Sequence, residues 1–287
     1  MDGNSTPSQA TQEMSKILPR NVQFDFDIEM EKYWYGGNAL MTAWMCALSS
    51  MFPPGEKEFI RSIRAFENQV TDPALQRDIK GFIGQEGFHQ LNHKRVNIYV
   101  EEKTGLKITA MEQQVSNNIR DMLKAGGFSD AQLLASTVCM EHITAIMGEW
   151  MLSNQEMVQP APAIFRDLIL WHGVEELEHK SVAFDVFMQC VGDKKMLRRV
   201  MVATTFGFCL SLLRMQLKLL WWERKMPSLK DLWGTCTFNF GKHGVIRHVF
   251  KPYFAFFKKD FHPNNTDESA LIADWENDYP ELAGSQQ

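Results

Sequence analysis

Cysteine, proline and glycine are scarce in this chain of 287 residues, which contains 5 cysteines, 11 prolines and 18 glycines. The cysteines are odd in number and never form a C-x-x-C pair, so the sequence predicts neither a disulfide framework nor a zinc finger. Sandwiches and barrels need many tight turns, for which proline and glycine are the usual residues, and their scarcity argues against both folds. Hydrophobic residues make up 45% and charged residues 23%, a composition that excludes a disordered chain.

The motifs of several large enzyme classes are also missing. The sequence contains no G-x-S-x-G elbow, no P-loop and no G-x-G-x-x-G fingerprint, which argues against serine hydrolases and nucleotide-binding enzymes. The first 13 residues are polar and lack the basic and apolar regions of a secretory signal, so we expect a cytoplasmic protein.

Helical spacing of apolar residues dominates the chain, and no strand-like alternation lasts five residues, so the sequence predicts an all-α fold. We expect Pro53-Pro54-Gly55 to interrupt a buried first helix, Asp72-Pro73 to begin a long helix and Ser129 to cap another. A single helix is expected from about 163 to 191.

The predicted organisation has three parts. They are a flexible lead-in over 1–20, a helical bundle over 21–195, and a basic, apolar helical extension over 196–287 that packs on the bundle or on a membrane. Residues 194–259 carry fourteen Lys or Arg against two acidic residues, a net charge of +12 in a chain whose total charge is −5. Such an asymmetry indicates an anionic partner. Because no helix-turn-helix, zinc finger or RNP-like motif accompanies the charge, we expect no nucleic acid.

Residues 200–213 contain no charged residue, but this run is shorter than the roughly 20 apolar residues of a membrane-spanning helix. Polar residues from Thr204 to Lys225 recur at helical spacing and form a narrow stripe, with Trp221-Trp222 near one end. The pattern is typical of a helix in a membrane interface, and it equally fits a core helix with one solvated stripe. The local charge favours contact of residues 194–259 with an anionic membrane, which predicts a peripheral location on its inner face.

Two segments pair glutamate and histidine at the spacing of metal ligands on a helix. The first contains Glu86 and His89 as E-x-x-H, with His93 four residues further on. The second has three candidates at i, i+4 and i+7: His172, Glu176 and His179. Helical spacing puts each set on one face within about two turns.

A further carboxylate precedes each segment on an earlier helix. Glu56 lies 30 residues before Glu86, and Glu141 lies 35 residues before Glu176. Four-helix bundles that hold two metal ions use this arrangement, with one glutamate from each of two helices and a Glu-x-x-His pair from each of the others. Four carboxylates can bridge and charge-balance two divalent ions. The sequence therefore predicts a di-metal site with the ligands Glu56, Glu86, His89, Glu141, His172, Glu176 and His179.

Two choices between neighbouring carboxylates stay open. Glu58 competes with Glu56, but two residues apart they point to nearly opposite faces of a helix, so only one can serve. Glu175 also lies three and four residues from His172 and His179, and we expect it beside the ligand Glu176 rather than in its place.

Three other residues are candidates for ligands or for their supporting partners. His93 is equally consistent with a ligand and with a neighbour of the ligands. His142 lies about 100° around a helix from Glu141 and is more typical of a core histidine. Asp185 is a candidate to orient a ligand histidine or to pair with Lys180, and a surface role is equally consistent with the sequence.

Five segments carry a family resemblance: Phe52-Pro53-Pro54-Gly55-Glu56, Gly84-Gln85-Glu86-Gly87-Phe88-His89, Met140-Glu141-His142, the run from Trp171-His172 to Ala183-Phe184-Asp185, and Phe261-His262-Pro263 with Asp267. Through them, most of the chain resembles the bacterial family labelled predicted metal-dependent hydrolases. The order of the ligands is also similar to that of ferritin-like di-iron oxygenases of the arylamine N-oxygenase type. This second resemblance implies a ferritin-like four-helix bundle core, to which this sequence adds N-terminal and C-terminal helices without a counterpart in those enzymes.

These observations lead to three hypotheses of function. The first is a non-haem di-iron enzyme with two Fe, or alternatively Mn or Zn, which activates O₂ to oxidise a small hydrophobic or lipid-like substrate and needs an electron donor. The second is a di-metal hydrolase that cleaves an ester or a phosphate with a metal-activated water. The third is a non-catalytic metal-binding protein. A homodimer is compatible with each of them.

Overall fold

The computed structural model describes residues 17–26 and 28–285, and within these ranges the chain is all-α and contains no β-strand, which confirms the predicted fold class. The helices are α1 (Ala39–Arg64), α2 (Pro73–Thr104), α3 (Ile108–Ala125), α4 (Asp130–Ser153), α5 (Ala163–His179), α6 (Val182–Cys190), α7 (Lys194–Trp222), α8 (Leu229–Phe240), α9 (Val245–Ala255), α10 (Ser269–Asp278) and α11 (Pro280–Ala283). Short 3₁₀ turns lie at Glu67–Gln69, Gln155–Met157 and Pro263–Asn265.

Several helix ends follow the signals in the sequence. The Asp72 side chain accepts a hydrogen bond from the Ala74 N–H at the start of α2, and α2 ends at Gly105, whose positive φ of 72° suits glycine. Ser129 and Gln132 form a reciprocal capping box at the start of α4.

The predicted interruption at Pro53-Pro54 is wrong, because α1 continues through both prolines. Proline has no N–H, so the carbonyl of Ser49 loses the donor that a residue at position 53 normally supplies. The side-chain amide of Asn97 on α2 donates to that carbonyl instead, at 3.1 Å. A contact from a neighbouring helix thus replaces the bond that the sequence removes.

The single helix predicted over 163–191 is also wrong, because the chain breaks it at Lys180 and Ser181 into α5 and α6. At the break, Lys180 donates to the Thr266 carbonyl at 3.0 Å and forms an ion pair with Glu268. The break is therefore held by the segment that precedes α10.

Four helices, α1, α2, α4 and α5, pack in neighbouring pairs: α1 on α2, α2 on α5, α5 on α4 and α4 on α1. α3 lies against α1 and α2, and α7 lies across α1 and α4. α8 packs on α1 and on α9, and α9 packs on α4. Helices α7, α8 and α9 of the predicted C-terminal extension thus cover the side of the molecule formed by α1 and α4. The ferritin-like detail of the bundle stays a prediction.

The apolar interior consists of two clusters of buried side chains. One contains Trp34, Trp150 and Trp171, and the other contains Phe82 and Phe187. On α1, α2 and α4, one end of the helix contributes to the first cluster and the other end to the second. α5 contributes to the first cluster and α6 to the second. The predicted ligands lie where the helices pass from one cluster to the other, in the layer between the two clusters.

Residues 1–16 of the predicted flexible lead-in lie outside the described residues, and its last four residues are packed. Ile17 and Arg20 are buried. A Cβ atom added to Gly81 would lie 2.4 Å from the Ile17 carbonyl oxygen, and one added to Gly84 would lie 2.4 Å from Pro19. These two glycines of α2 let the N-terminal segment lie directly on the helix.

Candidate metal centre

Four helices bring buried carboxylates and imidazoles together in the layer between the apolar clusters. The predicted ligands are all buried there: Glu56 from α1, Glu86 and His89 from α2, Glu141 from α4, and His172, Glu176 and His179 from α5. His179 Nε2 lies 3.1 Å from Glu141 Oε2 and 3.3 Å from Glu86 Oε1. His172 Nε2 lies 2.8 Å from Glu176 Oε1. The structure therefore gathers all seven residues into one site.

Four overlapping groups of these side chains have ligand atoms within 4.8 Å of one another, close enough to hold a metal ion. The groups are Glu56, Glu86 and His89; Glu86, Glu176 and His179; His89, His172 and Glu176; and Glu56, His93 and His172. Because the groups share members, the arrangement suits more than one ion.

Many polar atoms of the site have no partner of their own. Both carboxylate oxygens of Glu56, Glu86 and Glu141 are buried and make no aligned hydrogen bond within the described part of the chain. An unpartnered buried polar group costs several kcal/mol, and an unpaired charge costs more. Divalent cations would supply the missing partners, so the donor atoms present fit a metal centre.

The carboxylates show the electrostatic cost of this crowding. Burial raises the pKa of Glu56 well above its usual range, and the negative charges of Glu176 and Glu141 raise it further. Burial and the charge of Glu141 raise the pKa of Glu86 in the same way. Burial and the charge of Glu176 raise the pKa of Glu141 to about 7. Burial and mutual repulsion thus both oppose the negative charge of these carboxylates, and a bound cation would offset both effects.

The histidines divide into two kinds. Burial lowers the pKa of His89 and of His93 well below the usual value, and the charge of His172 adds to the effect. Burial also opposes protonation of His179, but the charges of Glu141 and Glu176 outweigh it and raise the pKa of His179. In turn, the charge of His179 and the hydrogen bond from His172 overcome the burial of Glu176 and lower its pKa.

The choice between neighbouring carboxylates is clear in the structure. Glu58 is partly exposed, accepts a hydrogen bond from Arg61 and belongs to none of the ligand-sized groups, whereas Glu56 is buried in the site. Glu176 lies against His172 and His179 and accepts a hydrogen bond from the Thr144 hydroxyl. Glu175 lies one layer further out.

Glu175 belongs to a supporting network that sequence reasoning missed. Its Oε2 lies 3.0 Å from His89 Nε2, and its Oε1 accepts from Arg20 Nη1 at 3.2 Å. Burial raises the pKa of Glu175 to about 8, although the positive charge of Arg20 opposes the rise. Arg20 thus reaches a ligand histidine through one carboxylate.

The same arginine reaches a second ligand histidine through another carboxylate. Arg20 donates to both oxygens of Glu178, at 2.6 and 2.8 Å. Glu178 accepts from Gln85 Nε2 at 2.7 Å, and Gln85 Oε1 accepts from His179 Nδ1 at 2.9 Å. Such partners fix the ring orientation of ligand histidines. No motif marks Arg20, because its partners lie more than 150 residues away in sequence.

His93 lies at the edge of the site rather than outside it. Its Nε2 lies 2.7 Å from His172 Nδ1, and its Nδ1 lies 3.1 Å from the Ser49 hydroxyl. The Ser49 hydroxyl donates to Asn97 Oδ1 at 2.6 Å. His93 therefore holds His172 in place and also belongs to one of the ligand-sized groups.

The structure does not bring His142 or Asp185 to the site. His142 Nε2 bonds to the Pro252 carbonyl at 3.2 Å, its ring packs near Phe256, and burial lowers its pKa to about 4. Of the three roles left open for Asp185, the two pairings, with Lys180 and with a ligand histidine, are not formed in the described part of the chain. Asp185 instead accepts from His262 Nε2 at 2.9 Å, because the segment after α9 folds back over α6.

Two glycines set the distance between α4 and α5. A Cβ atom added to Gly148 would lie 2.7 Å from the Gly173 carbonyl oxygen, and one added to Gly173 would lie 3.0 Å from the Gly148 Cα. The backbones touch here, one residue from His172. This close approach lets Glu141 and Thr144 of α4 reach the ligands of α5.

A cavity of about 1,100 Å³ adjoins the site. Glu56, His93, His172 and Glu176 form part of its wall, and α1, α3, α4, α7 and α9 supply largely apolar side chains such as Met147, Phe208 and Met215. Ligand pockets typically combine such an apolar lining with a few convergent polar groups. The site can therefore receive a molecule with a large apolar part.

Comparison with known proteins identifies a family. The sequence model of the family described as “predicted metal-dependent hydrolase” matches residues 18–267, whereas neither the curated proteins nor the solved structures contain a significant match. This description indicates a metal-dependent enzyme and agrees with the second hypothesis above. The first hypothesis, an O₂-activating oxygenase, is therefore wrong. Because the match covers most of the sequence, the chain belongs to the family of predicted metal-dependent hydrolases.

Proposed function

We propose that this chain is a di-metal hydrolase that cleaves an ester or phosphate bond with a metal-activated water. The observation that carries the proposal is the buried cluster of four glutamates and three histidines, contributed by four helices, of which three members lie on the wall of an apolar cavity. The family description points to the same chemistry.

The donor atoms favour two divalent ions. Four carboxylates carry four negative charges, which two divalent ions balance. Carboxylate and imidazole ligands without a thiolate suit iron, manganese and zinc. Iron is the ion predicted first, with manganese or zinc as alternatives. When bound, such a pair lowers the pKa of water and offsets the negative charge that develops during hydrolysis.

The protein side chains divide into two layers. Glu86, His89, Glu141 and His179 lie behind the cavity wall, and the network around Arg20 and Gln85 orients the two histidines. Glu56, His172 and Glu176 lie on the wall itself. The reacting bond of a substrate would lie against these three residues, and its apolar part would fill the cavity.

Hydrolysis requires a proton to move from water to the leaving group. The water oxygen bonds to the carbonyl carbon or to phosphorus, the bond to the leaving oxygen breaks, and that oxygen receives the proton. Glu56 is suited to carry this proton because it lies on the cavity wall, where one of its oxygens would bind an ion and the other, which makes no aligned hydrogen bond in the described part of the chain, would accept the proton.

The test is a hydrolysis assay of the purified chain after loading with Fe²⁺, Mn²⁺ or Zn²⁺ in separate samples. The assay is carried out in the absence of oxygen. The probes are p-nitrophenyl esters of increasing acyl length and p-nitrophenyl phosphate. We expect metal-dependent release of nitrophenol, and a rate at least about 100-fold lower in Glu86→Gln, because losing even the partner of a ligand costs 10–100-fold.

The matched control is Glu102→Gln, which changes an exposed glutamate of α2 that does not line the cavity. It is expected to keep the full rate. Absence of hydrolysis with every ion and probe, or an undiminished rate in Glu86→Gln, would contradict the proposal.

A further inference from the structure

The outward side of α7 is apolar. Val202, Phe206, Leu213, Leu217 and Trp221 follow one another at spacings of four or seven residues, which places them on one face of the helix. Each is 49–74% exposed. A surface helix of a soluble protein normally presents charged and polar residues to solvent, so this pattern is reversed.

α7 is long and apolar enough to cross a membrane, and only 22% of the residues in its most apolar stretch are buried in the protein. Its opposite face, however, packs on α1 and α4 through Leu212, Met215 and Leu219. Gln216 of that face donates to the Leu40 carbonyl at 3.0 Å. These contacts hold α7 against the protein and favour a helix that lies along a surface.

α8 and α9 continue the surface of α7, because the Tyr253 hydroxyl of α9 donates to Thr205 of α7 at 3.1 Å and α8 packs on α9. They also expose large apolar side chains: Leu229, Leu232, Trp233, Phe240, Ile246, Phe250 and Phe254. Trp233 is 76% exposed and Phe250 is 62% exposed. Apolar surface of this extent indicates a binding face. We call these residues, with the five of α7, the C-terminal apolar face.

Positive charge surrounds this face. Arg214, Arg224, Lys230, Arg247 and Lys251 are exposed, and none of them forms an ion pair with a carboxylate in the described part of the chain. They belong to the segment 194–259, whose net charge is +12. Exposed tryptophan beside basic residues is typical of helices in the interface of an anionic bilayer.

The cavity reaches the surface on this side. Ala203, Gly207 and Cys209 of α7 and Ile246 of α9 are exposed and also line the cavity. Thr204 and Ser211, which the sequence places in the polar stripe of α7, line it as well. A molecule that leaves a bilayer beneath the C-terminal apolar face would meet this opening.

We propose that the C-terminal apolar face docks on an anionic lipid bilayer and that the cavity receives an ester or phosphate lipid from it. The docking follows from exposed apolar surface and unpaired positive charge on one side of the molecule. The lipid class of the substrate rests on the proposed hydrolase function. Hydrolysis would add water across one ester or phosphoester bond and release an acid and an alcohol.

Docking is tested by co-sedimentation of the full chain with vesicles, which requires no turnover. The vesicles contain either phosphatidylcholine alone or phosphatidylcholine with 30% phosphatidylglycerol. We expect strong binding to the anionic vesicles and at least tenfold weaker binding to the neutral ones. The double variant Phe206→Ser, Trp221→Ser should lose at least tenfold in binding to anionic vesicles.

The matched control is Ile98→Ser, which removes an apolar side chain of similar type, 40% exposed, from α2 outside this face. It should bind as the unaltered chain does. Equal binding to both kinds of vesicle, or equal loss in Ile98→Ser, overturns the proposal. Failure to bind any vesicle also overturns the proposal. If light scattering then shows a dimer that dissociates in the double variant, the C-terminal apolar face binds a second copy of this chain instead.

A second readout separates docking from the proposed hydrolysis. The double variant should hydrolyse a soluble short-chain nitrophenyl ester at an unchanged rate and lose hydrolysis of an ester lipid in anionic vesicles. Vesicle binding without any hydrolysis removes the lipid substrate and the hydrolase function and leaves docking intact. Hydrolysis without vesicle binding removes the docking and leaves the hydrolase function intact.

Discussion

At the scale of single residues, the candidate site depends on which nitrogen of each histidine faces the carboxylates. Gln85 engages Nδ1 of His179, which leaves Nε2 for Glu86 and Glu141. Glu175 lies at Nε2 of His89, which leaves Nδ1 for the cluster. Arg20 connects both arrangements, so an arginine that touches no ligand sets the orientation of two of them.

Replacing Arg20 by methionine is therefore expected to weaken metal binding. The dissociation constant for Mn²⁺, measured by competition with a fluorescent chelator, should rise about 10–100-fold, because partners of metal ligands carry effects of this size. Arg20→Lys should restore little of the affinity, since a lysine cannot donate to Glu175 and to both oxygens of Glu178 at once.

The control for this prediction is Arg120→Met, which removes an exposed arginine that pairs with its neighbour Asp121. A lower melting temperature of Arg20→Met with an unchanged Mn²⁺ affinity would show that Arg20 stabilises the fold without orienting the histidines.

At the scale of helices, the contact between α4 and α5 determines how closely their ligands approach. Gly148 and Gly173 allow the two backbones to touch, and a side chain on either glycine would separate the helices. The prolines of α1 show a similar dependence on a neighbour, because Asn97 of α2 replaces the hydrogen bond that Pro53 lacks. In both cases the position of a ligand-bearing helix depends on its contact with a neighbouring helix.

Gly148→Ala is expected to lower the free energy of unfolding by about 1–3 kcal/mol, since the added methyl group overlaps the Gly173 carbonyl. For a chain of this size, each kcal/mol corresponds to roughly 2–4 °C in Tm, which calorimetry resolves. The control is Gly207→Ala in α7, where no heavy atom lies within 4 Å of the added Cβ. It should keep or raise the Tm, and equal losses in both variants would contradict the prediction.

The sequence was sufficient for features that arise from local spacing. Helical periodicity predicted the fold class, and the i, i+3, i+4 and i+7 spacings predicted ligands that meet in the structure. Features that depend on distant partners were not predictable: the continuous α1, the break at Lys180, and the role of Arg20. The role of Asp185 stayed open for the same reason, because its partner His262 lies 77 residues away.

At the scale of the whole molecule, the buried acidic residues and the exposed basic residues lie in different parts of the structure. The metal-ligand candidates lie between two apolar clusters, where four negative charges are shielded from water. The basic segment and the exposed aromatic residues lie on the side of α1 and α4, and the N-terminal segment covers α2. The cavity joins the buried acidic layer to the basic surface, which connects the proposed chemistry with the proposed source of its substrate.

Metal analysis of the purified chain measures whether the buried cluster holds two divalent ions. After loading with Mn²⁺ and removal of unbound ions, mass spectrometry of the dissolved protein should find two ions per chain. The folded variant Glu86→Gln should retain fewer ions, while Glu58→Gln should retain two. A folded chain that binds no ion under any loading condition, or a Glu86→Gln variant that keeps both, would contradict the account.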